Sequence, residues 1–352
     1  MAETIRVREG EGFDLAAVER CLREHIEALP GGELEVRQFP SGASNLTYLL
    51  KIADWEGVLR RPPLGPVPPK AHDMGRESHF LTKLHEVYSL APKPYFFCED
   101  ESVIGAHFYV MERREGVVVD DSFPEGVEPD RELCRGISRT VADTLAALHA
   151  VDPNESGFGD LGRPEGFLER QVKGWIGRYE RARTEETEEV GPLTGWLAGD
   201  IPESPDPTII HNDYKLNNLI LNPHDLTEVR AVLDWEMATV GDPLFDLAVS
   251  LSYWTEPTDP EELKEVMPTV TSTAGFMTRE EFMDRYAERS GRDLSEMHWY
   301  MVFGYFKLAV ILQQIYARWK KGQTGDARFA NFNQRVRILI LHAIELAEKG
   351  EL

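Results

Sequence analysis

The sequence predicts an α+β protein of two lobes, a smaller one built on a five-stranded antiparallel sheet and a larger one that is mainly helical. Strand-like runs are concentrated in the first 113 residues, and helical periodicity dominates after Gly116. A length of 352 residues with 42% hydrophobic composition is sufficient for two buried cores. We therefore expect an N-terminal lobe at residues 1–113 and a C-terminal lobe at residues 114–352.

The smaller lobe begins with an amphipathic pattern at residues 14–29, which predicts a helix that the Pro-Gly-Gly segment at residues 30–32 ends. Turn residues at 41–44 and 54–57 join the first three strands, because small and polar residues favour tight chain reversals. The expected strands are residues 34–39, 48–53, 57–61, 95–98 and 107–112, with a second helix at 73–87.

The larger lobe shows apolar residues at helical spacing from Leu133 to Leu148, which predicts a helix ending at His149. One exception to its helical character is expected. Residues 219–221 and 229–233 have the composition of two strands and predict a β-hairpin.

The apolar stretch at residues 299–316 resembles a membrane span, but Lys307, Gln313 and Gln314 interrupt it. It is also shorter than the roughly 20 apolar residues that a span requires. We therefore expect a buried helix and no membrane partner.

The charge balance excludes one class of partner. The chain has 38 basic and 61 acidic residues, a net charge of -23, whereas binding to a phosphate backbone favours a basic surface. We expect no nucleic-acid partner and a monomer or homodimer. Cys21, Cys98 and Cys134 lack C-x-x-C spacing, and the first residues lack the apolar core of a signal peptide. These features predict free thiols in a cytoplasmic protein.

The most informative segment runs from His211 to Asn218 and has the pattern H-x-D-x-x-x-x-N. Asp213 can accept a proton from a substrate hydroxyl, and Asn218 can ligate a metal ion. Asp234 ends a β-rich run and supplies a further metal-ligating carboxylate. Phosphoryl transfer needs these groups, because its catalysis consists mostly of positioning and charge neutralisation. The segment therefore predicts a phosphotransferase site with Asp213 as the catalytic residue.

These residues resemble the signature of the aminoglycoside phosphotransferase family, which has a protein-kinase-like fold. A closer resemblance is to kinase-like domains attached to acyl-CoA dehydrogenases, which share an S-G-x-S-N-x-T-Y loop and a V-L-R-R-P-P-x-G stretch. The similarity covers roughly residues 35–255, and these 352 residues include no acyl-CoA dehydrogenase domain. The segments that carry it are residues 41–48, 58–65, 211–218, 233–236 and 241–248.

The resemblance implies ATP and Mg²⁺ as cofactors, with Asn218 and Asp234 as the magnesium ligands because this hard cation prefers oxygen. It also assigns a phosphate-binding loop to the turn between the first two strands, although an ordinary hairpin turn would have a similar sequence. Small residues there would let the backbone approach phosphate oxygens closely. The loop residues are Ser41, Gly42, Ser44 and Asn45.

Arg60 occupies the position of the phosphate-binding lysine of protein kinases, and its guanidinium can bind phosphate through two parallel hydrogen bonds. Glu77, on the following helix, is the expected partner of Arg60, with a solvated helix charge as the alternative. Residues 111–114 are the expected hinge, where the backbone of Glu112 to Arg114 would contact adenine. Glu112 and Arg114 are therefore assigned to cofactor binding.

The resemblance also implies roles for four further residues in or near the motif. His211 is expected to hold the loop by hydrogen bonds, and Asp246 is expected to brace it. Glu236 could contact a second metal ion, and Lys215 could contact the γ-phosphate, although a surface lysine is an equally good interpretation.

The expected activity is ATP-dependent phosphorylation of a small-molecule hydroxyl group. An aminoglycoside, a choline-type or sugar-type compound, and a hydroxyacyl compound are all open as acceptors. Their pocket is expected among helices that include residues 167–179 and 299–316. The alternatives are a catalytically inactive nucleotide-binding module and a metal-dependent hydrolase.

Overall fold

A computed structural model describes residues 3–40, 45–65, 72–159, 161–185, 189–324 and 326–350. The chain divides into two compact units. The small unit comprises Met1–Gly116 and Arg230–Ala238, and the large unit comprises Val117–Val229 and Thr239–Leu352. The small unit therefore takes in a distant segment at residues 230–238, which a single boundary after residue 113 does not anticipate.

The small unit contains the expected five-stranded antiparallel sheet, with the strand order β1-β2-β3-β5-β4. Side chains along each strand alternate between the two faces of the sheet, so consecutive residues point in opposite directions. The strands are β1 Glu35–Gln38, β2 Leu46–Ile52, β3 Trp55–Arg61, β4 Pro94–Cys98 and β5 Phe108–Glu112.

Two helices of the small unit begin at aspartate caps. In α1, Leu15–His25, the Asp14 carboxylate accepts hydrogen bonds from the first free backbone N–H groups. The helix is shorter than expected and ends at His25. Asp73 caps α2, Met74–Val87, in the same way. Gly75 lets α2 approach β4, because a Cβ atom there would lie 3.0 Å from the Phe97 ring.

One face of the sheet packs against α1 and forms an apolar core. This core includes Val18, Leu22, Tyr48, Leu50, Leu59, Phe108 and Val110. Two free buried cysteines also meet there, Cys21 and Cys98, whose Sγ atoms lie 3.9 Å apart.

The large unit is mainly helical, as expected. Its longest helix contacts four other α-helices and carries the apolar stretch 299–316, which is almost entirely buried. Within the described ranges, no helix has the length and apolarity of a membrane span. The helices are α3 Arg131–His149, α4 Phe167–Ala182, α5 Val190–Gly199, α6 Pro243–Ser252, α7 Glu261–Val266, α8 Arg279–Ser290, α9 Met297–Lys320 and α10 Phe332–Lys349.

Short β-ladders flank the motif segment. Strand β6, Thr208–Ile210, pairs with β9, Thr239–Gly241. The expected hairpin is formed by β7, Leu219–Asn222, and β8, Asp225–Val232. The β6–β9 ladder was not expected, because three-residue strands are too short to show an alternating pattern. The segment 211–218 therefore runs from the end of β6 to the start of β7.

Candidate active site

The loop between β6 and β7 is held by the buried carboxylate of Asp246. Its Oδ2 accepts a hydrogen bond from the His211 backbone N–H at 2.7 Å, and its Oδ1 accepts one from the Asn212 N–H at 2.6 Å. Asn212 has a φ of +66°, a left-handed conformation that asparagine tolerates better than most residues. Asp246 therefore fixes the backbone immediately before Asp213.

Asp246 is itself held by His149. The His149 Nε2 lies 3.1 Å from Asp246 Oδ2, and its Nδ1 lies 2.7 Å from the Tyr286 hydroxyl. Burial lowers the pKa of His149 despite the nearby carboxylate, so the imidazole is neutral. It then donates to Asp246 and accepts from Tyr286. Although burial opposes ionisation of Asp246, hydrogen bonds from His149 and from the His211 backbone N–H hold the pKa of its carboxyl below the usual value.

Asp213 projects from this fixed backbone with a side chain that is 19% exposed. Its Oδ2 lies 2.9 Å from the Lys215 Nζ and 3.3 Å from the Asn218 Nδ2, which also donates to the Asp213 backbone oxygen at 2.8 Å. The Asn218 amide oxygen accepts no hydrogen bond from any residue that the structure describes. It is therefore available to a cation, as its expected role requires.

Lys215 is not an isolated surface lysine. It pairs with Asp213, and its Nζ lies 4.8 Å from the centre of the Tyr253 ring. Burial, together with the nearby Asp213 carboxylate, raises the pKa of Tyr253 well above its ordinary value. Lys215 therefore connects Asp213 with the aromatic wall of an adjacent cavity.

This cavity has a volume of about 60 Å³. Asn217 lines it and donates to the Asp120 carboxylate at 3.0 Å, while its own Oδ1 is buried and has no hydrogen-bond partner among the described residues. Helices α4 and α9, among which we expected the acceptor pocket, pack against each other through rings such as Tyr179 and Phe306, and the acceptor pocket there stays a prediction. The cavity is lined by Asp120, Lys215, Leu216, Asn217, Ser250, Tyr253, Trp254 and residues 267–269 and 271.

The small unit contains a second cluster of expected site residues, centred on Arg60. Its Nη1 lies 3.0 Å from Glu77 Oε1, and its Nη2 lies 2.8 Å from Asp234 Oδ1. Glu77 is fully buried, which excludes the alternative of a solvated helix charge. Burial raises the pKa of Glu77 to about 7, against the opposing effect of Arg60. Two carboxylates therefore share one guanidinium.

The strand register explains why Arg60 rather than Arg61 occupies this cluster. Arg60 pairs with Thr47 on β2 and with Tyr109 on β5. Its neighbour Leu59 packs into the apolar core on the other face of the sheet, and alternation places Arg61 on that face too.

A hydrogen-bonded network in the small unit surrounds Glu236. The Asn45 Nδ2 donates to Glu236 Oε2 at 2.8 Å, and the Asn45 Oδ1 lies 2.9 Å from the His72 Nδ1. Arg76, on α2, donates to the Glu236 backbone oxygen at 3.0 Å. The sequence analysis assigned no role to His72 or Arg76. The other loop candidates, Ser41, Gly42 and Ser44, lie outside the described residues.

The side chains of the expected hinge contact each other rather than the Arg60 cluster. The Arg114 Nε lies 3.0 Å from Glu112 Oε2, which also accepts a hydrogen bond from the Lys93 N–H at 3.2 Å. Arg114 donates to the Ser89 carbonyl oxygen at 3.1 Å. Any contact of Glu112 and Arg114 with a nucleotide would therefore be made by their backbone.

A metal site made by the protein alone is not found among the described residues, where no three His, Cys, Asp or Glu side chains are grouped to hold an ion. Magnesium bound with a nucleotide needs fewer protein ligands, because phosphate oxygens and water complete its coordination. Asn218 and Asp234 each carry a side-chain oxygen of the kind that such an ion binds.

Comparisons with known proteins identify the family of the chain. The family model described as "Phosphotransferase enzyme family" matches residues 35–300. Acyl-CoA dehydrogenase family member 11 of Gallus gallus is 33% identical over 355 residues, covering 98% of this chain and 45% of the relative. Family member 10 of Mus musculus is 33% identical over 322 residues, 91% of this chain and 30% of the relative. The chain thus spans less than half the length of these relatives.

Solved structures show the same fold. A protein from Ralstonia eutropha assigned to the aminoglycoside phosphotransferases has a TM-score of 0.81 at 32% identity, covering 96% of this chain and 99% of that one. Choline kinase from Cryptosporidium parvum has a TM-score of 0.65 at 13% identity, with 96% of each chain covered. A mutant of aminoglycoside phosphotransferase APH(4)-Ia, solved with AMP-PNP and hygromycin B, has a TM-score of 0.60 at 16% identity, covering 95% and 98%. The expected kinase-like fold is confirmed.

Proposed function

Since the chain belongs to the phosphotransferase enzyme family, we propose that it transfers a phosphoryl group from ATP to a hydroxyl group of a small molecule, with the help of Mg²⁺. One observation carries this proposal. Asp213 lies on a backbone fixed by Asp246, and Asn218 and Lys215 contact its carboxylate. A carboxylate held in this way can orient a hydroxyl group and take its proton.

In the proposed reaction, the acceptor hydroxyl lies against Asp213 and replaces part of its contact with Lys215. The lysine ammonium remains close and stabilises the carboxylate until the proton is transferred. The hydroxyl oxygen then bonds to the terminal phosphorus of ATP while the bond from that phosphorus to the bridging oxygen breaks, and ADP leaves. Most of the rate enhancement comes from holding these groups in line, since phosphoryl transfer needs little covalent participation of the protein.

On the nucleotide side, we propose that Arg60 binds phosphate oxygens. Glu77 and Asp234 fix its side chain, and its buried Nε has no hydrogen-bond partner among the described residues, so the guanidinium retains an unused donor. Magnesium would neutralise charge on the phosphates, with Asn218 and Asp234 as its protein ligands. Asn45 and the backbone of the hinge remain proposed nucleotide contacts.

For the acceptor, we propose a hydroxyacyl compound, with an aminoglycoside as the second candidate. The first choice is supported by the names of the curated relatives, which are acyl-CoA dehydrogenase family members. The second is supported by the assignment of the Ralstonia eutropha protein. The cavity of about 60 Å³ beside Lys215 has room for the hydroxyl-bearing end of either molecule, with the remainder outside.

The free buried cysteines are consistent with a cytoplasmic protein.

An inactive nucleotide-binding module is the alternative. It would not need an intact base and metal ligands, yet Asp213, Asn218 and Asp234 are all present. Retention of the whole set favours an active enzyme.

A screen for ADP release tests the proposal. The protein is incubated with ATP and Mg²⁺ and with hydroxyacyl-CoA compounds, free hydroxy acids, aminoglycosides or choline, and mass spectrometry identifies any phosphorylated product. We expect acceptor-dependent ADP release that Asp213→Asn abolishes. Phosphate appearing in water alone would support the hydrolase instead, and ADP release that is equal in the variant would contradict the proposal.

A further inference from the structure

Lys307 is a buried cation in the middle of the apolar helix α9. Its side chain is 2% exposed, and its Nζ lies 5.5 Å from the centre of the Trp175 ring and 5.3 Å from that of Phe245. A buried charge is costly unless it is paired and hydrogen-bonded. Lys307 is charged over part of the physiological pH range. Packing alone therefore does not explain why a lysine occupies this buried position.

The contact that Lys307 makes is with the backbone of the Asp213 loop. Its Nζ donates to the Asn212 carbonyl oxygen at 2.6 Å. This oxygen belongs to the peptide group whose N–H, on Asp213, donates to the His211 Nδ1 at 3.3 Å. Lys307 therefore fixes the orientation of the peptide plane that carries Asp213.

The same residue, Asn212, is held from its other side. Its N–H donates to Asp246 at 2.6 Å, while Lys307 binds its carbonyl oxygen, and its φ is +66°. A left-handed non-glycine residue persists only when its surroundings determine it. An anion and a cation from α6 and α9 thus clamp the strained residue next to Asp213.

The charges that face Lys307 come from several elements. Burial lowers the pKa of Lys307 to about 8, while Asp213 and Asp246 oppose this effect, and Lys215 and Arg178 add to it. On α10, which also packs against α9, His342 contacts the ring of Tyr305. The cation is therefore present at pH 7 and is lost as the pH rises through about 8.

We propose that Lys307 is a positioning residue for phosphoryl transfer, which holds the Asn212–Asp213 peptide in the orientation that places the Asp213 side chain. This inference rests on the proposed function, because it gives Asp213 the role of base. Lys307 touches neither acceptor nor nucleotide in this proposal, and it acts through the loop backbone.

Three variants test the inference. Lys307→Met removes the charge and the hydrogen bond, and Lys307→Arg keeps the charge. Gln313→Met is the matched control, because Gln313 is also buried on α9 and also donates to a backbone oxygen, that of Ala182 at 2.8 Å, away from the loop. Thermal unfolding first establishes that each variant is folded.

The first readout is hydrogen–deuterium exchange of the peptide at residues 211–218, which needs no acceptor. We expect exchange at least about tenfold faster in Lys307→Met, because the loop loses its hydrogen bond to helix α9. Gln313→Met should match the parent, and Lys307→Arg should lie closer to the parent than Lys307→Met. Parental exchange in Lys307→Met would overturn the inference.

The second readout is steady-state kinetics with an acceptor found in the ADP-release screen. We expect kcat to fall by about 10- to 100-fold in Lys307→Met, within the range typical of a disturbed general base, while KM for ATP stays within about twofold. The parental kcat should decline above about pH 8, and this limb should move to higher pH in Lys307→Arg. An unchanged kcat in Lys307→Met would overturn the inference. Should the parent phosphorylate no acceptor, the proposed function fails, and hydrogen exchange alone decides whether Lys307 positions the loop.

Discussion

Arg60 and Asp234 form an ion pair of 2.8 Å although 174 positions separate them in the sequence. Glu77 holds the other side of the same guanidinium at 3.0 Å. Removal of one partner from a buried ion pair leaves the other charge uncompensated. Two carboxylates therefore hold the Arg60 guanidinium in place. We expect variants of this cluster to affect nucleotide binding, which precedes phosphoryl transfer.

Asp234→Ala should remove most of the stabilisation that ATP and Mg²⁺ give to the protein, because the variant lacks a proposed metal ligand. A ligand at about a hundred times its dissociation constant adds about 2.7 kcal/mol to the free energy of unfolding. Thermal unfolding with and without ATP and Mg²⁺ measures this shift. Asp54→Ala, in the exposed turn between β2 and β3, is the control and should keep the full shift. A full magnesium-dependent shift in Asp234→Ala would exclude Asp234 as a ligand.

Arg60→Lys should weaken ATP binding by about tenfold, because lysine keeps the charge but loses the two parallel hydrogen bonds of guanidinium. Isothermal titration with ATP and Mg²⁺ measures the affinity. Arg60→Ala would leave Glu77 buried without its cation, so the double variant Arg60→Met with Glu77→Gln separates loss of binding from loss of folding. Arg61→Ala is the control and should bind ATP like the parent. If Arg61→Ala weakened ATP binding while Arg60→Lys kept the parental affinity, the assignment of the phosphate contact to Arg60 would be wrong.

His149→Gln should reduce the loss of stability on acidification. Burial lowers the pKa of His149 below its ordinary value of 6.5, so the unfolded chain binds its proton first. Stability is therefore lost as the pH falls below about 6.5, and a neutral glutamine removes this contribution. The dependence of the melting temperature on pH between 5 and 7.5 measures this loss. His342 contributes to the same dependence, because burial lowers its pKa too. The control is His107→Gln, at an exposed site, which should keep the parental dependence on pH. The parental dependence in His149→Gln as well would contradict this prediction.

Asn217→Ala should raise KM for the acceptor by about tenfold, or about 1.4 kcal/mol, while leaving ATP affinity unchanged. The reason is that Asn217 lines the cavity beside Lys215, where we propose that the hydroxyl-bearing end of the acceptor binds. Asn222→Ala is the control, since Asn222 bonds to Glu228 on the exposed part of the hairpin. Equal values of KM in Asn217→Ala and the parent would place the acceptor elsewhere.

Much of this arrangement could be predicted because it is local or periodic. Alternating strands predicted the five-stranded sheet, and the resemblance to kinase-like proteins predicted the pairing of Arg60 with Glu77. The H-x-D-x-x-x-x-N pattern singled out Asp213 and Asn218, which a tight loop brings within 3.3 Å of each other. Their roles in catalysis remain predictions.

The support of the loop by Asp246 was expected, but the roles of His149 and Lys307 could not be predicted, because their partners are distant in sequence. His149 lies 97 positions from Asp246, and Lys307 lies 95 positions from Asn212. Nothing local distinguishes a lysine that anchors a loop from one that interrupts an apolar stretch, which is how Lys307 was first interpreted. A buried cation becomes informative only when its hydrogen-bond acceptor is known.

The most direct test of the central claim is the turnover of Asp213→Asn. Asparagine keeps the size of the side chain and much of its hydrogen bonding but cannot accept or orient the hydroxyl proton in the same way. We expect parental ATP affinity with a kcat about 10² to 10⁴ lower, equivalent to roughly 3 to 5 kcal/mol of transition-state stabilisation. His211→Ala is the comparison and should act mainly by destabilising the loop. Turnover by Asp213→Asn within a few-fold of the parent, with the same acceptor, would contradict the proposed mechanism.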